Sequence, residues 1–449
     1  MTRRLTRRGA LAAAGTLALG GCLDGGRGRD RGFWDDPPSL DTSGVSGAIE
    51  TPVPDRPRLV PVPIGGEVSA SFADRVDRLL APIPEPLTAT ALPNGATREQ
   101  ITESRDAARE ALPASGESAT PLRRAERFAT ARGHAATAVG TWAGVTTEGD
   151  PRAVTESVGT VRNRAGSTLD TLPGGASTPL AGAAVYGPIE RWLDTALRRD
   201  LVGGSAGVDE SANPLRAGET VGEVERVRSH VEVGRHLRDR YEGSLAEPEA
   251  VAAPLREAAE RVGAEVGERL RELHGGDTER LRQNPGTDAF LGDRPIPRDA
   301  PSVSLLSRAS YRTFEDLWFD PVPIDDWTPD HPATALTRTA LARVRLRALD
   351  ALAARIEDGE TLFPADAAAV EEGRDGAIRS VDALVTSENP LERWLGAQFR
   401  TLFAERDAAL AESDPDPRAV ARAVATYRWV ELVGDETSPV TAAVTDAIG

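Results

Sequence analysis

Few residues of this chain have the type and spacing that catalysis or metal binding requires. Of its five histidines, none forms the i, i+4 pair that a helical zinc site needs. His230 and His236 are six positions apart, so a helix would point them to different faces. The segment 203–207 fits the Gly-x-Ser-x-Gly pattern of serine hydrolases, but it follows residues of helical spacing rather than a strand. We therefore predict no catalytic residue, no metal site and no cofactor.

One segment is dense enough in aromatic and acidic side chains to form a binding surface. Five aromatic residues lie between positions 311 and 327, and carboxylates are interleaved with them. Such a mixture can bind a sugar, a cation or a partner protein. The alternative is a packed junction, where a helix over 302–319 enters the second half of the chain with its acids outside. The candidate binding patch consists of Trp318, Phe319, Asp325, Asp326 and Trp327.

The chain has a single cysteine, Cys22, which follows an uncharged stretch from Gly9 to Gly21. That stretch is shorter than the roughly 20 apolar residues that a membrane-spanning helix needs. Arginines, including Arg7 and Arg8, precede it, as in the charged region of a signal peptide. A thiolate is also a group that can be alkylated. We therefore predict a signal peptide over residues 1–21 and a lipid on Cys22; the alternative is an ordinary buried thiol.

These features resemble a twin-arginine export signal followed by a lipobox. The run from Thr6 to Leu11 resembles the Ser/Thr-Arg-Arg-x-apolar-Leu motif, and Leu19 to Cys22 resembles a lipobox. The resemblance implies cleavage before Cys22 and a protein that folds before export. It also implies a location on the outer face of the cytoplasmic membrane, with the membrane as partner through the Cys22 lipid.

The charge balance restricts the partners of the body that follows. The net charge is −17, and every basic residue is an arginine. An acidic surface of this kind disfavours nucleic acid, which needs clustered positive charge. The composition resembles that of secreted proteins of haloarchaea, in which carboxylates keep the surface soluble in concentrated salt. The alternative is an acidic protein from a GC-rich genome, which also favours arginine over lysine.

Apolar residues recur at helical spacing over most of the chain and predict an all-α fold. We predict a lipidated Cys22 with a disordered tether over 22–66, because this segment is rich in Gly, Pro, Asp and Ser. A first helical unit over 67–245 follows. A connecting helix and linker over 246–319 then leads to a second unit over 320–449.

The two units carry an internal echo. Residues 188–198 and 390–400 share Pro, Glu, Arg, Trp and Leu in the same order. We interpret the echo as an internal duplication of the helical unit. A proline suits the first turn of a helix, so we predict that both segments begin helices. Glutamate and arginine of the two segments could pair across the axis that relates the units.

These observations predict a membrane-anchored lipoprotein that binds an unidentified ligand or partner protein without catalysis. One alternative is an enzyme with an unrecognised carboxylate or arginine site in a groove between the two units. Another is a structural subunit of an envelope assembly. A shared open cleft bearing the Glu-Arg pairs of the echo would favour a binding or active site, and sealed packing would favour a structural role.

Overall fold

The computed structural model describes residues 32–112, 120–146, 151–198, 213–273, 290–291, 295–318 and 329–449. The protein is an all-α fold of two consecutive helical units, as the sequence predicts. The helices of the first unit are α1 (Gly66–Leu80), α2 (Gly95–Ala111), α3 (Pro121–Thr146), α4 (Pro151–Leu169), α5 (Pro179–Arg198) and α6 (Pro214–Glu242). The next two are α7 (Ala252–Leu273) and α8 (Pro301–Trp318). The last five are α9 (Pro332–Glu357), α10 (Ala367–Val385), α11 (Pro390–Phe399), α12 (Phe403–Leu410) and α13 (Pro417–Ile448).

Strand structure in the described ranges is limited to one short antiparallel pair. Strand β1 (Gly175–Ala176) precedes α5, and β2 (Glu249–Ala250) precedes α7. Gly175 lies opposite Ala250 in this pair. Within the same ranges, every helix is too short or too polar to cross a membrane.

Local sequence signals set several helix starts. The side chains of Asn94, Asn389 and Asp416 accept hydrogen bonds from backbone N–H groups in the first turns of α2, α11 and α13. Such capping satisfies donors that have no partner within the helix. Asp366 caps α10 in the same way. The caps explain why these helices begin where they do.

The closest helix packing in the first unit joins α3 and α6. A Cβ atom on Gly218 would lie 2.0 Å from Oγ1 of Thr141 and 2.8 Å from the carbonyl oxygen of Thr137. A Cβ atom on Gly222 would lie 2.9 Å from the carbonyl oxygen of Gly133. Only glycine leaves room for backbones at this separation.

One hydrophobic core runs through both units, and a smaller cluster lies between α1, α2 and α3. Helices α7 and α8 belong to the segment predicted to connect the units, and both pack against α9 and α13. Helix α9 also packs against α5, so it links the second unit to the first. The cavity described below lies at this junction.

The prediction of a disordered tether is wrong from Gly32 onward; residues 22–31 lie outside the described part of the chain. Residues 32–64, which we call the N-terminal strap, run along the surface of the body with Phe33, Val45 and Val60 buried. The Phe33 N–H donates to Oδ1 of Asp299 at 2.7 Å. The composition is typical of a disordered segment, but these apolar side chains pack against residues that lie far along the chain.

The prediction that both echo segments begin helices is right for one of them. Pro390 is at the start of α11, after the cap Asn389. Pro188 instead lies inside α5, which begins at Pro179. The hydroxyl of Thr178 accepts a hydrogen bond from the N–H of Ala181 at 3.2 Å and helps to fix this earlier start.

Candidate functional site

A cavity of about 320 Å³ lies where helices of both units meet. Its walls come from α5, α8, α9 and α11. The polar and aromatic lining residues are Arg191, Thr313, Asp316, Arg338, Arg345, Trp394 and Gln398. The first echo segment therefore contributes Arg191, and the second contributes Trp394 and Gln398.

Arg191 contacts an aromatic ring of the cavity wall. Its guanidinium carbon lies 5.6 Å from the ring centroid of Trp394, a cation–π contact. Its Nε atom is buried and has no hydrogen-bond partner among the described residues. Burial lowers the pKa of Arg191, and the carboxylate of Asp316 opposes this shift. The cation is thus held in the cavity wall by an aromatic ring rather than by a bonded carboxylate.

The remaining charges leave the cavity positive. Arg345 forms an ion pair with Asp316, which is the acidic residue in the cavity wall. Arg338 adds a further cation to the cavity wall, and it also interacts with another residue of the protein. Among the described residues, three arginines and one aspartate line the space, although the protein as a whole carries a net charge of −17. Guanidinium groups bind carboxylate and phosphate oxygens through paired hydrogen bonds.

The echo glutamates do not pair with the echo arginines across the units. Oε2 of Glu190 accepts the backbone N–H of Thr334 at 2.7 Å, at the start of α9. Glu392 accepts hydrogen bonds from the hydroxyls of Ser387 at 2.6 Å and Thr441 at 2.9 Å. The two glutamates therefore stabilise separate parts of the fold, and neither forms a hydrogen bond with an arginine of the other segment.

The echo arginines also differ from each other. Arg393 donates to the carbonyl oxygens of Ser387 and Glu388 at 2.6 and 2.9 Å. Arg191 faces the cavity instead. Of the two Glu-Arg pairs, only Arg191 reaches an open space, and the other three side chains lie in local packing.

A second group of ionisable side chains lies beside Arg191. Glu190 is buried, and its Oε1 atom has no hydrogen-bond partner in the described part of the chain. Burial raises the pKa of Glu190 to about 7, although the hydrogen bonds of Thr334 act in the opposite direction. Nearby, Nε2 of His331 lies 3.6 Å from Oδ1 of Asp194, and this carboxylate raises the pKa of His331.

The raised pKa of Glu190 predicts a pH-dependent stability. Between the ordinary value near 4.5 and about 7, the unfolded chain ionises at this site while the folded protein keeps the proton. Stability from this group is therefore complete below pH 4.5 and is lost as pH rises through 7. Glu190→Gln mimics the neutral carboxyl, so we expect it to be more stable than the parent at pH 8 by about 3 kcal/mol at most.

Urea unfolding of the two proteins at several pH values tests this expectation. The difference in unfolding free energy between Glu190→Gln and the parent should be near zero at pH 4 and should grow up to pH 8. His331 contributes a slope of the same sign. The part of its raised pKa that comes from Asp194 is present in both proteins and cancels, whereas the part that comes from the charge of Glu190 is lost in Glu190→Gln and belongs to the measured difference. A difference that stays constant from pH 4 to pH 8 would contradict the assignment.

Two of the other histidines, His236 and His230, have structural partners. Nε2 of His236 accepts the backbone N–H of Gly65 at 3.2 Å. The ring of His230 stacks on Trp192 with a centroid separation of 5.3 Å. Within the described ranges, no three His, Cys, Asp or Glu side chains are grouped so that they could hold a metal ion.

Most residues singled out from the sequence fall outside the described part of the chain. Trp318 is the last residue of α8, and its side chain is not described. Those outside the described residues are Arg7, Arg8, Cys22, Phe319, Asp325, Asp326, Trp327 and the segment 203–207. The aromatic patch and the lipidation site therefore stay predictions. Asp316 and Thr313, which line the cavity, belong to the helix that ends at Trp318.

Sequence reasoning missed most of the cavity wall. Arg338 and Arg345 lie seven positions apart on α9, a spacing that puts both on one face of a helix. In a chain whose basic residues are all arginines, this spacing did not stand out. The echo did single out Arg191 and Trp394. It suggested, however, that the arginine pairs with a glutamate of the other segment, not that it contacts the tryptophan.

Comparison with known proteins divides the chain into two parts. Residues 67–247 match a family described as a domain of unknown function (DUF8262). Residues 252–446 match a second family, also described as a domain of unknown function (DUF8264). No curated protein and no solved structure matches the chain. The cavity draws Arg191 from the first matched region and its other lining residues from the second, so the chain is similar to two families in succession whose regions meet at this site.

Proposed function

We propose that this protein is an exported lipoprotein whose helical body binds a small anionic molecule in the cavity between the two units. The observation that carries the binding proposal is a cavity wall to which Arg191 and two further arginines contribute. Arg191 contacts the ring of Trp394, and its charge is not paired with a carboxylate at hydrogen-bond distance among the described residues. An oxyanion in the cavity would bind the part of this guanidinium group that lines the cavity.

The size and lining of the cavity narrow the class of ligand. A volume of about 320 Å³ is at the lower end of the range for small-molecule sites. The ring of Trp394 and the aliphatic Leu317 and Leu341 give the cavity apolar surface in addition to its cations. The fitting ligand is a small carboxylate or phosphate ester with an apolar portion.

The lipid anchor rests on sequence features alone. Cys22 is the single cysteine, and the two arginines and the apolar stretch precede it in the order that export and lipidation require. The acidic, lysine-free composition suits a surface exposed to concentrated salt, where the Debye length is about 3 Å at 1 M and like charges barely repel. An extracytoplasmic binding protein agrees with both features.

Ligand binding is tested with defined anions. Inorganic phosphate, benzoate and phenyl phosphate should raise the melting temperature of the protein, with phenyl phosphate the most effective because it joins an anion to a ring. Arg191→Gln should weaken phenyl phosphate binding in calorimetry by about tenfold to a hundredfold, as expected for loss of a charged hydrogen bond worth about 1.5–3 kcal/mol. Arg379→Gln, an exposed arginine on α10, is the matched control.

Two results would count against the binding proposal. One is no response to any of the three anions while the protein remains folded. The other is equal weakening by Arg191→Gln and Arg379→Gln. Because these anions are probes, protein purified from its native membrane should also be denatured and its released small molecules analysed by mass spectrometry. Recovery of an anionic compound from the parent but not from Arg191→Gln is the expected outcome.

The anchor has its own test. Protein from native membranes should begin at Cys22 and carry the added mass of a lipid, and Cys22→Ser should move it from the membrane fraction to the soluble fraction. An unprocessed chain with intact residues 1–21 and no added mass would refute the anchor without bearing on the cavity.

A further inference from the structure

A group of arginines from three helices lies on the surface of the second unit. Arg308 and Arg312 are one turn apart on α8, Arg406 is on α12, and Arg422 is on α13. Partial burial and the charges of the other three arginines lower the pKa of Arg308 to about 10, while Glu405 acts in the opposite direction. Arg308, Arg312 and Arg422 are nonetheless exposed to solvent. Helices α8 and α12 both pack against α13, which brings these arginines to one region of the surface, and Arg406 pairs with Glu405 at 3.3 Å. Cations grouped in this way favour an anionic partner.

An exposed tyrosine lies within the same group. Tyr311 follows Arg308 by three positions on α8, so the two side chains share a face of the helix. Its side chain is 53% exposed, and it is the single large hydrophobic residue with this degree of exposure in the described ranges. Tyrosine and arginine place an apolar body against lipid and a polar end in the headgroup layer. The combination fits a membrane surface better than a soluble anion.

The position of the group relative to the chain start supports the same partner. Arg418, one turn before Arg422 on α13, lies over the ring of Trp34 at 5.1 Å from its centroid. Trp34 also donates through Nε1 to the carbonyl oxygen of Asp299, just before α8. The strap therefore begins beside the arginines. From Gly32 back to Cys22 the chain can reach at most about 35 Å, so a lipid on Cys22 holds this face near the bilayer.

We propose that Arg308, Tyr311, Arg312, Arg406 and Arg422 form a docking face for anionic lipid headgroups of the membrane that carries the Cys22 lipid. This inference rests on the proposed lipid anchor. Each guanidinium offers a forked pair of donors to a headgroup phosphate. In concentrated salt the long-range attraction is screened, but direct guanidinium–phosphate contacts and the apolar contact of Tyr311 persist.

The test uses the full chain with Cys22→Ser, so that no lipid contributes to binding. Vesicles of phosphatidylcholine and phosphatidylglycerol in equal parts are compared with vesicles of phosphatidylcholine alone in a sedimentation assay. The unlipidated protein should bind the anionic vesicles, and the triple variant Arg308→Gln, Arg312→Gln, Arg422→Gln should bind them roughly a hundredfold more weakly at low salt. Tyr311→Ser should lose the binding that remains at molar salt.

The matched control replaces three exposed arginines of the first unit, Arg127, Arg216 and Arg235, by glutamine. It has the same net charge and the same N-terminus as the triple variant. Vesicle-induced protection of residues 305–313 from hydrogen exchange should appear in the parent and in the control but not in the triple variant. Melting temperatures of the variants show whether each is folded.

Three outcomes would overturn the docking face. They are equal weakening in the triple variant and its control, equal binding to both kinds of vesicle, and protection from hydrogen exchange elsewhere but not in α8. Failure of the anchor itself would appear differently, as native protein without added lipid mass. A lipidated protein whose unlipidated form ignores anionic vesicles would therefore remove this inference alone.

Discussion

Replacing Glu225 by alanine is expected to lower the free energy of unfolding by about 3–5 kcal/mol, because the buried cation of Arg132 loses its buried carboxylate and keeps an ion pair with the exposed Glu232. Oε1 of Glu225 accepts hydrogen bonds from Arg75 at 2.9 Å and from two nitrogens of Arg132 at 3.0 and 2.6 Å. Oε2 accepts hydrogen bonds from Arg228 at 2.6 Å and from a second nitrogen of Arg75 at 3.2 Å. Arg132 is itself buried and lies over the ring of Phe72. Because the side chains of Arg132 and Glu225 are 4% exposed or less, solvent cannot readily replace the lost partner.

Denaturant unfolding of the alanine variant measures this loss. Glu219→Ala, an exposed position on the same helix, should change the unfolding free energy by no more than about 0.5 kcal/mol. The double variant Arg132→Met, Glu225→Met removes both charges and should cost less than the sum of its single variants. Additive costs would indicate that the pair is not coupled.

The same carboxylate predicts an acid-sensitive component of stability. Burial alone would raise the pKa of Glu225, but the hydrogen bonds and charges of Arg75 and Arg132 outweigh it and lower the pKa to about 2. A depressed folded-state pKa gives stability that is present above the ordinary value of 4.5 and is lost as pH falls toward 2. The stability difference between the parent and Glu225→Ala should therefore shrink below pH 4.5.

Arg374→Met is expected to have the second large effect, also about 3–5 kcal/mol. Arg374 is buried on α10 and forms two parallel hydrogen bonds to Asp407 at 3.0 and 2.8 Å. It also donates to the carbonyl oxygen of Thr51 in the strap at 2.7 Å. Without the arginine, Asp407 would retain one of these hydrogen bonds, which it accepts from the hydroxyl of Tyr427 at 2.7 Å. The substitution therefore destabilises the second unit and loosens the strap at once.

Two measurements separate these effects. Denaturant unfolding reports the global loss, and limited proteolysis reports cleavage within residues 45–54. Arg379→Met places the same new side chain on the exposed face of α10 and should leave both readouts unchanged. Faster strap cleavage by Arg374→Met without global destabilisation would refute the proposed role of the Asp407 contact.

Local patterns were enough to predict the fold class. In α1, Phe72, Val76 and Leu80 recur at helical spacing, and all three are buried. Such periodicity depends on neighbours within a few turns and can be detected in one segment at a time. The two units followed from length and from the echo between 188–198 and 390–400.

Features that depend on distant contacts could not be predicted in the same way. The strap reads as disordered because its composition is polar and rich in proline, yet Val45 and Val60 are fully buried against elements encoded far downstream. The cavity could not be predicted from the sequence for the same reason. Arg191 and Trp394 were visible as an echo, but their contact depends on how α5 meets α11.

The contacts of the strap limit the order in which parts of the chain can fold during translation. Arg400 donates through Nε to the carbonyl oxygen of Pro54 at 2.5 Å, across a sequence separation of 346 residues. At translation rates of about 5–20 residues per second, Pro54 leaves the ribosome about 17–70 s before this partner exists. The contacts of the strap with Arg374 and Arg400 can therefore form only after most of the chain has been translated, later than the contact between Phe33 and Asp299.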